Sequence, residues 1–346
     1  MNNKISIFDL ELDEIKALFQ EWGEAGYRSR QLWNALYQKL ITDLGQSTNL
    51  PDSLKTRLLD HYSFENLTPV DFLESTDQQT SKVLLELPDG ARIETVLMNY
   101  DDRHTLCISS QVGCAMNCSF CATGQMGFTR NLTAGEIVGQ VLFFARILRE
   151  SDQSVTNIVY MGMGEPFHNY DAVMKSFRIL NHPDGFNLGA RRFTISTVGL
   201  IPGIERFTTD NTQINLAISL HATDETQRSS IMPVNNRYPI KDLIAACHRY
   251  FDTTGRRITF EWALIQGVND TNKEAVALAN LLQDLTCHVN VIPLNPTKGY
   301  QGKKSPMESV NAFQKTLQQH GIPCTIRIRR GIDIQAGCGQ LASKNN

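Results

Sequence analysis

Apolar side chains recur at helical spacing through roughly the first 65 positions and then change to strict alternation. Ile15, Leu18, Phe19 and Trp22 share one helix face; Leu32, Trp33, Leu36 and Tyr37 share a second, with Ser29 placed to cap it. Pro51 suits the first turn of a third helix carrying Leu54, Leu58 and His61. From Lys82 the period is two, and Lys82–Leu87 and Arg92–Met98 flank Pro88-Asp89-Gly90, which predicts a β-hairpin. Beyond Arg130 the two patterns take turns. Helices are predicted over Thr133–Glu150, opened by a Thr133/Glu136 capping box, and over Tyr170–Leu180, Pro239–Phe251, Thr271–Leu285 and Met307–His320. Between them fall predicted strands Val155–Met161, Arg192–Thr197, Ile214–Leu220, Ile258–Ile265, His288–Pro293 and Thr325–Ile328. Repeated strand–helix units predict an α/β fold, a parallel sheet with helices outside it. Residues 1–80 are then an N-terminal helical accessory domain, and residues 81–346 the sheet domain with its hairpin and a C-terminal tail.

A chain of 346 residues is long enough for one large domain and an appendage. No stretch approaches the roughly 18 apolar residues that span a bilayer, so no membrane is expected. The start lacks the charged-then-apolar pattern of a secretory leader, and the eight cysteines therefore read as reduced, cytoplasmic thiols. The net charge of −3 is unevenly spread: residues 298–346 hold eight Lys/Arg against two Asp/Glu. That basic segment suits a polyanion, and equally an ordinary solvated surface; Arg191-Arg192 and Arg256-Arg257 add to it.

The densest chemistry lies in Gly113–Gly124, where Cys114, Cys118 and Cys121 stand at C-x3-C-x2-C spacing. Zinc sites on cysteine use paired knuckles and four ligands, and no second Cys/His knuckle follows here. A four-iron cluster takes one thiolate per iron, so three leave one iron open to a further ligand. Phe120 adds apolar cover between the second and third thiols. In Arg92–Met98, Glu94 shares a face with Val96 and Met98; it is either a desolvated general base or a carboxylate on a solvent-facing edge. Met161-Gly-Met-Gly-Glu-Pro166 lacks the third glycine of a dinucleotide fingerprint, since Phe167 stands there. Gly164 and Glu165, Ser196, Ser219 with Leu220 and His221, and Asn295 all fall at strand ends, where barrel enzymes place their sites. Cys247, Cys287 and Cys324 read as packing residues. Cys107 precedes the triad by seven positions, and Cys338 sits between glycines just beyond Arg327, Arg329 and Arg330, which predicts a mobile thiol biased toward thiolate.

The triad with its preceding aromatic resembles the radical S-adenosylmethionine (radical SAM) superfamily. The wider set of Cys107–Ser110, Gly113–Gly124, Arg130–Ile137, Met161–Pro166, Ser196–Gly199, Ser219–Ala222, Met232–Asn235, Gly267–Asp270 and the Cys338 tail resembles one branch, the RlmN-type methyltransferases. Gly337 departs from that pattern, which more often has Ala. The resemblance implies a partial (β/α)6 radical SAM barrel with an N-terminal helical accessory domain and a β-hairpin extension. It implies a [4Fe-4S] cluster held by Cys114, Cys118 and Cys121, and S-adenosyl-L-methionine held by Gly164, Glu165, Ser196, Ser219, Leu220, His221 and Asn295. The implied reaction is methylation of C2 of adenosine in 23S rRNA and in tRNA. In it Cys338 first carries the methyl group and then links to the base, Glu94 takes the ring proton, and Cys107 releases the product by forming a transient disulfide with Cys338. A flavodoxin- or ferredoxin-type electron donor is expected, and no obligate protein partner. Three other readings stand beside this one: a C8-adenosine methyltransferase of the same family, a radical SAM enzyme that activates a protein, and a non-enzymatic RNA-binding module with a structural cluster.

Overall fold

In the computed structural model the described residues are 4–64, 67–327 and 329–342. Ile328, the last residue of the strand predicted over Thr325–Ile328, lies outside them.

The helical module comes first: helices Leu12–Glu21, Tyr27–Tyr37 and Asp52–His61, closed by a short parallel pairing of Ile5–Ser6 with Tyr62–Ser63. Ser29 does not cap the second helix. It lies inside it, fully buried, and its hydroxyl donates to the Gly26 carbonyl. The helix begins two residues earlier because Gly26 and Tyr27 accept helical geometry without a side-chain cap, and tertiary packing outweighs the capping signal.

One ten-stranded sheet follows in chain order: β1 (Thr68–Glu74), β2 (Thr80–Glu86), β3 (Arg92–Tyr100), β4 (Arg103–Cys107), β5 (Asn157–Tyr160), β6 (Phe193–Thr197), β7 (Asn215–Ser219), β8 (Ile258–Leu264), β9 (Cys287–Pro293) and β10 (Cys324–Ile326). Strands β1 to β4 form an antiparallel meander, so the predicted hairpin is its centre; β4 to β10 run parallel. Strand β4 joins the two halves: Cys107, its last residue, stands opposite Val96 of β3 on one side and Val159 of β5 on the other. Strand β1 escaped the sequence pattern because it is an exposed edge, with Pro69 next to a register shift.

Helices Ala134–Arg149, Tyr170–Asn181, Ile201–Asp210, Ile240–Thr254, Asn272–Leu282 and Met307–Gln319 follow β4 to β9 in turn. The Thr133/Glu136 capping box opens the first of them as predicted. Alternation along β8 shows why the sheet needs both layers. Ile258, Phe260, Trp262 and Leu264 are completely buried, whereas Thr259, Glu261 and Ala263 line the barrel interior. Burying each outward side chain contributes about 1.5–3 kcal/mol, while the inward positions are left free for chemistry. Among the described residues no helix is long and apolar enough to cross a membrane.

Candidate active site

The cysteine loop is tied at both ends. Gln111–Gly113 pairs antiparallel with Phe128–Asn131, the Cys114 amide donates to the Gly127 carbonyl at 2.8 Å, and the Ser119 amide donates to Ile231 at 3.0 Å. Gly113 adopts φ +74°, and a Cβ there would stand 2.0 Å from the Gly127 carbonyl oxygen, so no other residue permits this closure. Burial pushes the Cys114 thiol up to about 12 and the Cys118 thiol well above its usual range, and in both the neighbouring thiols add to the shift.

Beside the loop is a cavity at the C-terminal ends of β5 to β9. Its walls include Cys118, Cys121, Gly164, Glu165, Ser196, Ser219, His221, Asn295 and Cys338. The predicted residues at four strand ends therefore do meet. Gly164 (φ +103°) is wedged against Gln111, whose Cβ would stand 2.6 Å from any Cβ at 164. Glu165 is 2% exposed; its two oxygens accept from the Phe167 amide (3.0 Å) and the Val198 amide (2.9 Å). Burial pushes this carboxyl up to about 7, against the pull of those donors. His221 is buried in a left-handed backbone conformation, with Nδ1 accepting from the Ala263 amide at 3.0 Å. Burial, with Arg228 adding to it, drops the imidazole to about 3, so the ring is neutral and its Nε2–H is the free donor. Leu220 is not part of the cavity wall; its carbonyl accepts from Arg228.

A second cavity adjoins the first and shares Cys121, Met161, Gly162, Asn295, Cys338 and Gly339 with it. Cys107 and Cys338 both line this second space, with Arg327, Arg329 and Arg330. All eight cysteines are free thiols. The tail that carries Cys338 is anchored rather than mobile, contrary to what its glycines suggest. The Gly339 carbonyl accepts from the Ala122 amide (2.7 Å), Leu341 from Thr123 Oγ1 (2.6 Å), and the Cys338 carbonyl from Asn295 Nδ2 (3.0 Å). Asn295 is held in turn by Arg329 Nε at 2.8 Å. The expected bias toward thiolate is also reversed. Burial raises the Cys338 thiol and lifts Cys107 to about 12, and Arg327 only partly offsets this. Cys338 is exposed by area, but the surface it exposes faces the two cavities.

Of the two readings open for Glu94 the buried one is observed, but the residue lines neither of these spaces. It forms an ion pair with Lys82 at 2.9 Å, both side chains about 8% exposed, and accepts from the Ala342 amide at 2.8 Å. Its cavity is a third one, beneath the tail.

Comparison with known proteins bears directly on this arrangement. The pattern described as the ribosomal RNA large subunit methyltransferase N-terminal domain matches residues 5–63, and that of the radical SAM superfamily matches residues 108–279. Dual-specificity RNA methyltransferase RlmN 1 of Myxococcus xanthus is 47% identical over 97% of this chain and 94% of its own. The chain belongs to the RlmN family of radical SAM proteins. A probable dual-specificity RNA methyltransferase RlmN of Chloroflexus aurantiacus is 48% identical, covering 98% of this chain and 93% of that one. The crystal structure of a radical SAM methyltransferase from Sphaerobacter thermophilus superposes with a TM-score of 0.95 at 50% identity, covering 97% of this chain and 99% of the other. The predicted radical SAM barrel with its accessory module is thus the observed fold.

Radical SAM proteins use a [4Fe-4S] cluster and S-adenosylmethionine, and the residues here fit both. Among the described residues no three His, Cys, Asp or Glu side chains are gathered so as to hold a single metal ion. Thiols that each bind a different iron of one cluster have no need to converge on a point. Iron would also supply the positive charge that lets such buried thiols ionise. Glu165, a buried carboxylate beside the triad held by two amides and the Thr197 hydroxyl, with no cation against it among the described residues, suits the ammonium group of an amino acid.

Two residues of this RlmN-family site escaped the sequence reading. Arg228 is completely buried; it donates to the carbonyls of Val198 (2.7 Å), Ser219 (3.2 Å) and Leu220 (3.0 Å) and to Asn235 Oδ1 (3.0 Å). One guanidinium thus fixes the loops after β6 and β7. Burial brings it down to about 10, with nearby Cys118 pulling the other way. Glu261 is the second: 4% exposed, with Oε1 accepting from Asn290 and Oε2 without a partner. A lone carboxylate in the apolar run Ile258–Leu264 was the available signal for it.

Proposed function

We propose that this protein methylates C2 of adenosine in 23S rRNA and tRNA. The observation that carries the reading is the pair of adjoining cavities: the cluster loop and Glu165 border one, Cys107 and Cys338 the other, and Cys338 borders both. The cluster and S-adenosylmethionine, when bound, supply the methyl group and one-electron chemistry.

The chain's own residues do the rest. Cys114, Cys118 and Cys121 hold the cluster; Glu165, with Gly164, Ser196, Ser219, His221 and Asn295, seats S-adenosylmethionine, while Leu220 acts from outside the wall through its bond to Arg228. Cys338 is the methyl carrier, since it alone of the two thiols reaches the first cavity. An adenine ring carbon is a poor nucleophile toward a sulfonium methyl, so a thiol that accepts the methyl first makes the transfer possible. Cys107 then attacks the sulfur of Cys338, and the product leaves as a disulfide forms. Glu94 takes the ring proton. It lies two residues along β3 from Val96, which lines the thiol cavity, so the tail must release its Ala342 contact for the carboxylate to act. Residues 1–80 serve as an RNA-contacting domain. Electrons come from a flavodoxin or ferredoxin type of donor, and the work is cytoplasmic, where thiol reductants reset the disulfide.

The test is reconstituted protein with S-adenosylmethionine, reductant and RNA. Expected products are 2-methyladenosine in the RNA digest, with both S-adenosylhomocysteine and 5′-deoxyadenosine. 8-Methyladenosine instead would mark the C8 enzyme. 5′-Deoxyadenosine without S-adenosylhomocysteine would mark an enzyme that uses the radical directly on a protein.

A further inference from the structure

A fourth space, lined by polar residues, occupies the opposite end of the barrel. It has a volume of about 820 Å³ and lies at the N-terminal ends of β6 to β9, where Thr194, Asn215, Thr259 and His288 begin their strands. Arg103, Arg191, Arg256, Arg257 and Arg327 line it, against a single carboxylate, Glu261. Arg103, Val159, Met161 and Arg327 border both this chamber and the cavity of the two thiols, so the two spaces join. We infer that this arginine-lined mouth is where the RNA strand docks, its phosphates on the rim and the target nucleoside reaching Cys338 and Cys107 from below. The inference rests on the RNA reading above and adds the face and the direction of approach.

Three observations support it. First, the charge is unspent. Several arginines elsewhere on the surface are paired, as Arg178 is with Glu11, Arg206 with Asp171 and Arg249 with Glu205, and those without an ion pair among the described residues, such as Arg57 and Arg237, line none of the four cavities. Among the described residues no ion pair engages Arg191, Arg256, Arg257 or Arg327. Arg191 and Arg256 are instead oriented by neutral groups, both by Gln213 Oε1 and Arg256 also by Asn215 Oδ1. Guanidinium forks held in place by neutral partners keep their full charge for phosphate. Second, at the other end of the barrel the tail is bonded to the cysteine loop through Gly339 and Leu341, so a strand entering there would have to pass it. Third, the chamber changes sign inward. Glu261, the one carboxylate of its lining, also borders the cluster cavity, so negative charge lies on the inner side, phosphate stays at the rim and only the base goes deeper.

The experiment measures RNA affinity against salt concentration for the full-length, cluster-loaded protein and its Arg191→Gln, Arg257→Gln and double variants, with cluster absorbance as the folding control. Lys241→Gln removes a charge at the other end of helix Ile240–Thr254, about 20 Å from the mouth at 1.5 Å per residue. Each arginine that neutralises one phosphate should contribute about 0.7–0.9 to the slope of log K on log salt. The double variant should therefore bind about 25- to 60-fold more weakly at 0.1 M salt, with a slope shallower by about 1.5. Lys241→Gln should match the wild type. Wild-type affinity and slope in the double variant, beside normal RNA methylation by the wild type, would overturn the docking face alone. An equal loss in Lys241→Gln would also overturn it, by showing diffuse attraction. A wild type that makes no methyladenosine would overturn the RNA reading and this inference together.

Discussion

Replacing Cys107 by Ala separates chemistry from packing more sharply than any other single change. Cys107 is half-buried at the end of β4, and its backbone pairing with Val96 and Val159 does not depend on the side chain. The sulfur removed lines a cavity that already exists, so the loss is about one methylene of burial, ~1 kcal/mol. An unfolding entropy near 2.1 cal/mol/K per residue gives ~0.7 kcal/mol/K for a chain of this length. The melting temperature should then fall by only about 1–2 °C, and Cys338→Ala, whose sulfur also faces cavity, should lose no more. Both variants should fold and bind the cluster, so any large difference between them is chemical.

The difference expected is covalent. Without Cys338 there is no methyl carrier, and the protein never links to RNA. Without Cys107 the linked state has no resolving thiol and accumulates. The assay is a denaturing gel of each variant purified from cells, with and without ribonuclease, alongside 2-methyladenosine measured in the cellular RNA. A ribonuclease-sensitive upshift should appear in Cys107→Ala alone, and methylation should be lost in both. Equal mobility of the two variants with methylation retained in either would refute the two-thiol reasoning. A fall of more than about 5 °C in Cys107→Ala with loss of cluster would assign that residue to packing instead.

The other predictions are briefer. Glu165→Gln presents an amide NH2 to one of two backbone donors, and should weaken S-adenosylmethionine binding about 10- to 100-fold in equilibrium dialysis, the cost of one charge-assisted contact, while the cysteine loop still takes up iron. Arg228→Lys keeps the charge but loses the fork that reaches four acceptors. It should lower the melting temperature by several degrees and weaken S-adenosylmethionine binding, because the loops after β6 and β7 lose their common anchor. The Cys107 thiol sits near 12, above working pH, so its thiolate fraction grows about tenfold per unit between pH 7 and 9. Release of the RNA adduct in a single-turnover experiment should accelerate with pH over that range, and a flat or falling rate would contradict thiolate attack. Gly337→Ala would place a Cβ 2.6 Å from the Asn295 amide and 2.8 Å from both Gln340 Oε1 and Ile332 Cδ1, so it should displace the contact that holds the Cys338 carbonyl; a fall in methylation of more than about threefold is expected in the RNA digest.

Much of this was legible in the chain, and the parts that were not share a cause. Strand–helix alternation from Arg130 onward is a local signal, and the first five strand ends it located carry residues that the fold brings to one cavity. The C-x3-C-x2-C triad was legible for the same reason, since its ligands come from one loop. Properties set by several elements at once were misread. The glycines around Cys338 suggest mobility, but the tail's freedom is decided by Ala122, Thr123 and Asn295, which belong to other segments. The arginines near Cys338 suggest a low thiol, yet burial outweighs the one that counts, Arg327.

Arg228 makes the same point from the other side. In Gln227-Arg228-Ser229-Ser230 it looks like a solvated helix residue, with no apolar neighbour to mark it as buried. Its position is explained only by what it touches: three carbonyls at or just beyond the C-terminal ends of parallel strands β6 and β7. A buried carbonyl without a donor costs about 1–3 kcal/mol, and a single guanidinium removes three such costs while placing a positive charge near Cys118. The barrel therefore needs a donor at this point before it needs a catalyst, and the same residue that satisfies these carbonyls holds the loops after β6 and β7 at the proposed seat of S-adenosylmethionine. In this protein the stability of the barrel mouth and the shape of the proposed site depend on one side chain, which is why Arg228→Lys is expected to change both together.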